Sequence, residues 1–260
     1  MAELNGVPVP LDALQNLALT NYGHFTSMRV DDHKVKGLSL HLDRLEHDAR
    51  CVFGVELDRD QVRAYVRKAV AERTGSFVVR VTVFDPQLDM GHPAAAGQPQ
   101  FLVTTRPAGP VPAPPLSVQT FPFSRDTPEV KHLGLFSQLR LRREAQLAGF
   151  GDAAFTEPDG RISEGGTWNM AFIDQDGTVV WPEAPVLPGV TMRLLQNIHD
   201  QTATAPVTLE SLPTMRAAFA TNTSIGVRTI TAINDVQLDA EHPVLGKLRS
   251  LYADVPGEHL

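Results

Sequence analysis

Apolar positions along this chain follow two periods, and each period predicts its own elements. Val62, Tyr65, Val66 and Ala69 recur at helical spacing behind Asp58, a plausible cap, so Asp58–Ala71 is predicted to be a helix. Ser39–Phe53, Leu135–Ala148 and Thr191–Gln201 are predicted helices as well, the second with Leu135, Leu139, Leu141 and Ala145 turned inward. Short β-branched or alternating runs predict strands at Glu3–Val9, Gly23–Val30, Phe77–Phe84, Gln100–Thr104 and Leu116–Phe121. After the third helix come strands at Asp152–Thr156, Trp168–Asp174, Val179–Trp181, Phe219–Asn222 and Thr229–Val236, some divided by the turns Glu157-Pro-Asp-Gly160 and Gln175-Asp-Gly177. Asp85–Gln98 reads as a loop, and no internal repeat is present.

Prolines crowd Thr104–Pro115, where they remove backbone donors and stiffen the chain. A domain boundary is expected there, with 1–115 as one domain and 116–260 as the next. Strands and helices mixed in both parts give an α+β protein of two domains.

Composition narrows the function classes. A chain of 260 residues with 42% hydrophobic content can bury one large core or two moderate ones. Its net charge of −7 opposes attraction to nucleic acid or an anionic membrane. No apolar run approaches the ~20 residues that span a bilayer. The start, Met1-Ala-Glu-Leu-Asn-Gly, lacks the basic and apolar stretches of a secretory signal, so a cytoplasmic protein is expected. Cys51 is the single cysteine, which excludes an intramolecular disulfide and a zinc site of several cysteines. His41 and His47 are six apart, off a common helical face, and no metal site is expected.

Four segments in the second half carry chemistry in a fixed order: Val130-Lys131, Glu164-Gly-Gly-Thr-Trp-Asn169, Leu187-Pro-Gly-Val-Thr191 and Thr221-Asn-Thr-Ser224. Each is commonplace alone: a surface lysine, an ordinary turn, a capped Pro-Gly turn and a polar turn after a strand. Together, a lysine, a carboxylate in a glycine turn and two hydroxyl-rich turns are the parts that hold a phosphorylated aldehyde. With His41-Leu-Asp-Arg-Leu45 they resemble the class IV (fold type IV) pyridoxal-phosphate enzymes, the group of branched-chain and D-amino-acid aminotransferases and aminodeoxychorismate lyase. The resemblance runs from about residue 17 to residue 236.

That resemblance implies a smaller N-terminal α/β domain and a larger C-terminal pseudo-barrel, with pyridoxal 5′-phosphate between them and a homodimer completing the pocket. Lys131 would form an imine with the cofactor and then move the substrate's α-proton. Glu164 would face the pyridine nitrogen and keep it protonated. Val190 and Thr191, at a helix start, and Thr223 would hold the phosphate, with Arg44 supplying a guanidinium. Arg29 could face a substrate carboxylate or equally be a structural ion-pair partner. His41 is expected to pack within its helix or to support the site from behind, and Glu46, Asp48 and Arg50 are expected on the helix's solvated side.

Three positions depart from the aminotransferase pattern: Thr20 stands where a tyrosine is usual, Thr26 where a glutamate is usual, and Phe136 where many relatives carry a tyrosine five residues past the lysine. The leading expectation is an aminotransferase moving an amino group from an amino acid to a 2-keto acid. A lyase of the aminodeoxychorismate type, and a cofactor-binding relative with little or no turnover, are the alternatives.

Overall fold

In the computed structural model, residues 2–95 and 97–260 are described; Met1, and Ala96 within the expected 85–98 loop, lie outside them. The chain begins with β1 (Ala2–Leu4), β2 (Val7–Pro8), α1 (Leu11–Thr20), β3 (His24–Asp31), β4 (Lys34–Lys36), α2 (Leu38–Phe53), α3 (Arg59–Val70), β5 (Ser76–Phe84) and β6 (Gln100–Pro107). It continues through β7 (Leu116–Pro122), α4 (Phe136–Leu147), β8 (Asp152–Thr156), β9 (Ile162–Gly165), β10 (Asn169–Ile173) and β11 (Val179–Pro182). Then follow α5 (Val190–Ile198), β12 (Thr202–Ala205), β13 (Ala217–Asn222), β14 (Gly226–Ile233), β15 (Val236–Gln237), α6 (Pro243–Asp254) and β16 (Gly257–His259). Two compact units result. Unit 1 takes the chain up to Ala108 together with Val130–Gly134 and Pro256–Leu260; unit 2 takes Gly109–Glu129 and Leu135–Val255.

Unit 1 is a seven-stranded sheet in the order β16-β4-β3-β5-β6-β1-β2. The expected strand Glu3–Val9 is instead a hairpin, because Asn5 and Gly6 adopt φ of 49° and 78° and reverse the chain. Asn-Gly is the pair best able to hold both central positions of such a turn. Helix α1, absent from the sequence reading, ends where Asn21 turns left-handed at φ 48°. Helix α3 starts as predicted, with the Asp58 carboxylate accepting the Asp60 and Gln61 N–H groups.

Strand alternation divides the sheet of unit 1 into two faces. Met28, Val30, Val79, Val81, Val83, Phe101 and Val103 form a core with Leu38, Leu42 and Leu45 of α2 and Val62, Val66 and Ala69 of α3. Phe25, Ser27 and Arg29 therefore point to the opposite face. The sheet is a two-sided platform: packed below, chemically equipped above.

Unit 2 closes on itself. Strands β10-β13-β14-β7-β8-β9 are neighbours in order, and β9 pairs back to β10, with β11 and β12 extending the sheet beyond β10. One face of these strands points into the barrel, through Met170, Phe172, Ala218, Ala220 and Ile230. The other packs Ala171, Ile173, Ala217 and Phe219 against Leu195 of α5 and Leu245 and Leu248 of α6. Burial on both faces explains the unbroken apolar runs of β10 and β13. The fold is that expected: an α/β unit and a pseudo-barrel. On α4 the buried side is Gln138, Leu141 and Ala145, and Leu139 is 51% exposed. Leu139 lies two residues from Leu141, about 200° around the helix, so the two cannot share an inward face.

Candidate active site

In unit 1, Lys131 lies on a short extended segment laid against the start of β3. Its carbonyl accepts the Phe25 N–H at 2.9 Å, the Leu133 N–H reaches the Gly23 carbonyl at 3.0 Å, and His132 bridges to His24. The Lys131 N–H donates to Asp48 Oδ2 at 3.0 Å. The lysine's peptide is thereby held on both sides. Its Nζ lies 4.8 Å from the centroid of the Phe25 ring, and the Arg80 guanidinium carbon lies 3.6 Å from the same centroid.

Arg44 is one helical turn beyond His41 on α2. His41 is buried and shares a hydrogen bond of 2.7 Å with the Thr26 hydroxyl. Burial, and then the positive charges of Arg44 and Lys131, hold His41 well below its ordinary pKa. The ring is neutral, and Thr26 is the hydroxyl that satisfies it. Arg29 Nε donates to the Asp31 carboxylate at 3.0 and 3.1 Å. Register pairing of Ser27 with Arg80 puts Phe25, Arg29 and Arg80 on one face of the sheet.

In unit 2, three turns distant in sequence meet through Asn169. On β10 it pairs with Glu164 of β9 on one side and Thr221 of β13 on the other. Its side-chain nitrogen donates to the Leu187 carbonyl at 2.7 Å, while Glu164 Oε2 accepts the Leu187 N–H at 3.4 Å. The other Glu164 oxygen is in a buried ion pair with Arg125, both side chains about 4% exposed.

The Leu187 turn leads into α5. A Cβ on Gly189, its N-cap, would overlap the Asn169 carboxamide oxygen, so only glycine fits. The first backbone bond returning into α5 runs from Arg193 N–H to Gly189 carbonyl, which leaves the N–H groups of Val190 and Thr191 at the helix mouth. The Thr191 hydroxyl is buried, 3.5 Å from that of Tyr252.

In the third turn the Asn222 side chain accepts the Ser224 and Ile225 N–H groups at 2.8 and 3.1 Å and donates to the Thr167 carbonyl at 3.1 Å. Thr223 sits at the centre of that turn. The Thr221 hydroxyl is buried with no hydrogen-bond partner among the described residues. Behind the glutamate turn, Asp152 accepts Trp168 Nε1 at 2.8 Å and Arg142 Nε at 2.7 Å, and Arg142 reaches the Thr167 hydroxyl at 2.8 Å.

The expected residues thus form two groups: Lys131, Arg44 and Arg29 in unit 1, and Glu164, Val190, Thr191 and Thr223 in unit 2. Sequence reasoning missed Arg80 and Arg125, and Asp48, expected on the solvated side of its helix, is instead buried. Arg80 had a signal, the lone charge inside Phe77-Val-Val-Arg-Val-Thr-Val-Phe84. Of the departing positions, the Thr20 hydroxyl bonds its own helix at the Asn16 carbonyl, 3.0 Å away, and Phe136 opens α4 with 77% of its surface exposed. Among the described residues no group of histidine, cysteine, aspartate and glutamate could hold a metal ion, and no helix is long and apolar enough to cross a membrane.

Solved structures share this fold. The branched-chain amino acid aminotransferase of Escherichia coli superposes with a TM-score of 0.86 at 19% identity, over 98% of this chain and 94% of that one. The branched-chain aminotransferase of Thermoproteus uzoniensis, solved with norvaline, gives 0.86 at 17% identity over 97% and 93%. A hypothetical aminotransferase from Mycobacterium tuberculosis in its PLP-bound form gives 0.81 at 18% identity over 98% of both chains. No curated protein sequence matches the chain. The amino-transferase class IV family matches residues 23–233, most of the length. The chain belongs to the class IV aminotransferases, whose cofactor is pyridoxal 5′-phosphate.

Proposed function

We propose that this protein moves an amino group from an amino acid to a 2-keto acid, with Lys131 as the residue that bonds the cofactor and handles the substrate's α-proton. The observation that carries the proposal is the wiring of unit 2. Glu164, Asn169, Leu187 and Gly189 fix a carboxylate and a helix mouth to one another, and the buried Thr221 hydroxyl beside them has no partner among the described residues. A buried hydroxyl without a bond costs about 1–3 kcal/mol, a cost that a ligand oxygen removes.

These residues fit pyridoxal 5′-phosphate. The N–H groups of Val190 and Thr191, the Thr191 hydroxyl, Thr223 and the Arg44 guanidinium would hold its phosphate, since helix mouths and arginine forks suit anions. Glu164 would hold the proton of the pyridine nitrogen. When bound, the cofactor supplies an aldehyde that condenses with amines and a ring that accepts electrons.

Lys131 then does the protein's share of the chemistry. Its Nζ would be the group that holds the cofactor's aldehyde and, once a donor amine takes that place, the base that holds and moves the proton of the donor's Cα. Clamping of the Lys131 peptide by Phe25 and Asp48 orients that amine at no further cost when substrate arrives. Arg29 and Arg80, cations on the Phe25 face, would draw a substrate carboxylate to the same side of the sheet. A homodimer belongs to the same reading.

The test is a panel of L- and D-amino acids given to cofactor-loaded protein, each with and without a 2-keto acid. Some donor should yield its keto acid, with sustained turnover only when an acceptor is present, and Lys131→Ala should abolish it. Turnover that releases pyruvate without an acceptor would replace transfer by lyase chemistry.

A further inference from the structure

Asp48 belongs to none of the motifs that carry the chemistry, yet its carboxylate is entirely buried on α2. Oδ2 accepts the Lys131 N–H at 3.0 Å across 83 residues of sequence, and Oδ1 meets His47 Nδ1 at 3.1 Å. His24 Nδ1 lies 4.0 Å from Oδ2, and neither nitrogen of that buried ring has a hydrogen-bond partner among the described residues. Burial pushes the Asp48 carboxyl pKa up, against the pull of the His47 and Lys131 bonds and of the Arg44 charge. A carboxylate in such a place costs folding energy unless its bonds serve something.

The bond it makes to a distant segment is the one to Lys131. Phe25 takes the carbonyl of that residue and Asp48 its N–H, so both polar groups flanking the Lys131 Cα are fixed. The direction in which the side chain leaves the backbone is set by those two bonds.

We propose that Asp48 is a positioning residue for Lys131, aiming the lysine amine so that it bonds the cofactor aldehyde rather than leaving the cofactor bound by its phosphate alone. The inference rests on the role given to Lys131 above. Asp48 bonds the backbone N–H of Lys131, not its amine. It acts through the lysine's backbone, where an error of about 1 Å in aim can cost on the order of a hundredfold.

Two ligands separate aim from fold. Pyridoxal 5′-phosphate can bond the lysine, whereas pyridoxamine 5′-phosphate carries the same phosphate and ring without an aldehyde. Dissociation constants for both should be measured on wild type, Asp48→Ala, Asp48→Asn and Lys131→Ala. Asp48→Ala should weaken the aldehyde form about tenfold or more and leave the amine form within about twofold. Asp48→Asn retains a carbonyl oxygen for the Lys131 N–H and should return the aldehyde form to within about threefold of wild type. If Asp48→Ala does not fold, Asp48→Leu fills the same space without an acceptor and carries the same expectation. Equal loss for both ligands, or no loss for the aldehyde, overturns the proposal. A preference for the aldehyde that survives in Lys131→Ala would instead refute the assignment of Lys131.

Discussion

The Asn169 carboxamide oxygen occupies the space that a side chain at Gly189 would take, so the residue that braces the glutamate turn also forbids any Cβ at the mouth of α5. Gly189→Ala should therefore displace the Leu187 turn, at a cost of about 2 kcal/mol, within the range for overpacking. Part of that cost should vanish in an Asn169→Ala background. A double-mutant cycle read by denaturant unfolding checks this, and strict additivity would contradict it.

Thr221→Val removes a buried hydroxyl that has no hydrogen-bond partner among the described residues. Without cofactor the variant should be as stable as wild type or about 1 kcal/mol more so, because an orphaned polar group is gone. With cofactor the sign reverses, because a ligand oxygen then satisfies the hydroxyl, and the variant's affinity should fall about tenfold. Isothermal titration and thermal melts of the two forms give both numbers.

Arg125→Leu strips the guanidinium from the Glu164 carboxylate in a nearly dry site. Breaking a buried pair on one side typically costs 3–5 kcal/mol, so a loss of about that size is expected in unfolding experiments. Arg125→Leu with Glu164→Gln should recover much of it while cofactor binding stays weak, because the pyridine partner is then also altered.

Acid should destabilise the protein early. Burial pushes the His24 pKa from 6.5 down to about 3, and His41 also lies well below its ordinary value. Between those limits the unfolded chain binds protons that the folded chain refuses, so stability is full above pH 6.5 and falls as pH drops below it. Each histidine contributes a slope of up to about 1.4 kcal/mol per pH unit. Asp48, whose pKa is raised from 3.8 by burial, acts with the opposite sign, because the folded chain takes up that proton at a higher pH than the unfolded chain does. His24→Gln should flatten the curve between pH 6.5 and 5; an unchanged slope in equilibrium unfolding would contradict the buried neutral ring.

What the sequence discloses and what it hides have physical reasons. Helix α3 was legible because its apolar period and its Asp58 cap are both local. The motifs that carry Lys131, Glu164 and the Leu187 turn stand out in the sequence because they are short and local, whereas the bond that joins Glu164 to Leu187 spans 23 residues and leaves no local mark. Helix α1 was not legible: Ala13, Leu14 and Leu17 pack inward, but the exposed Leu11 and Leu19 spread its apolar residues around the helix and blur that stripe. The Arg125 partner of Glu164 and the Asp48 partner of Lys131 lie 39 and 83 residues away, and no local pattern records such pairings. Arg29 left two readings open, and its ion pair with Asp31, two residues along β3, matches the structural one.

The measurement that bears most directly on the central claim is borohydride reduction of the cofactor-loaded protein, followed by peptide mass mapping. The cofactor should be recovered on the nitrogen of Lys131, in wild type and in Asp48→Asn alike, and nowhere in Lys131→Ala. Recovery of the cofactor on another residue, or unattached cofactor from wild type, would contradict the account.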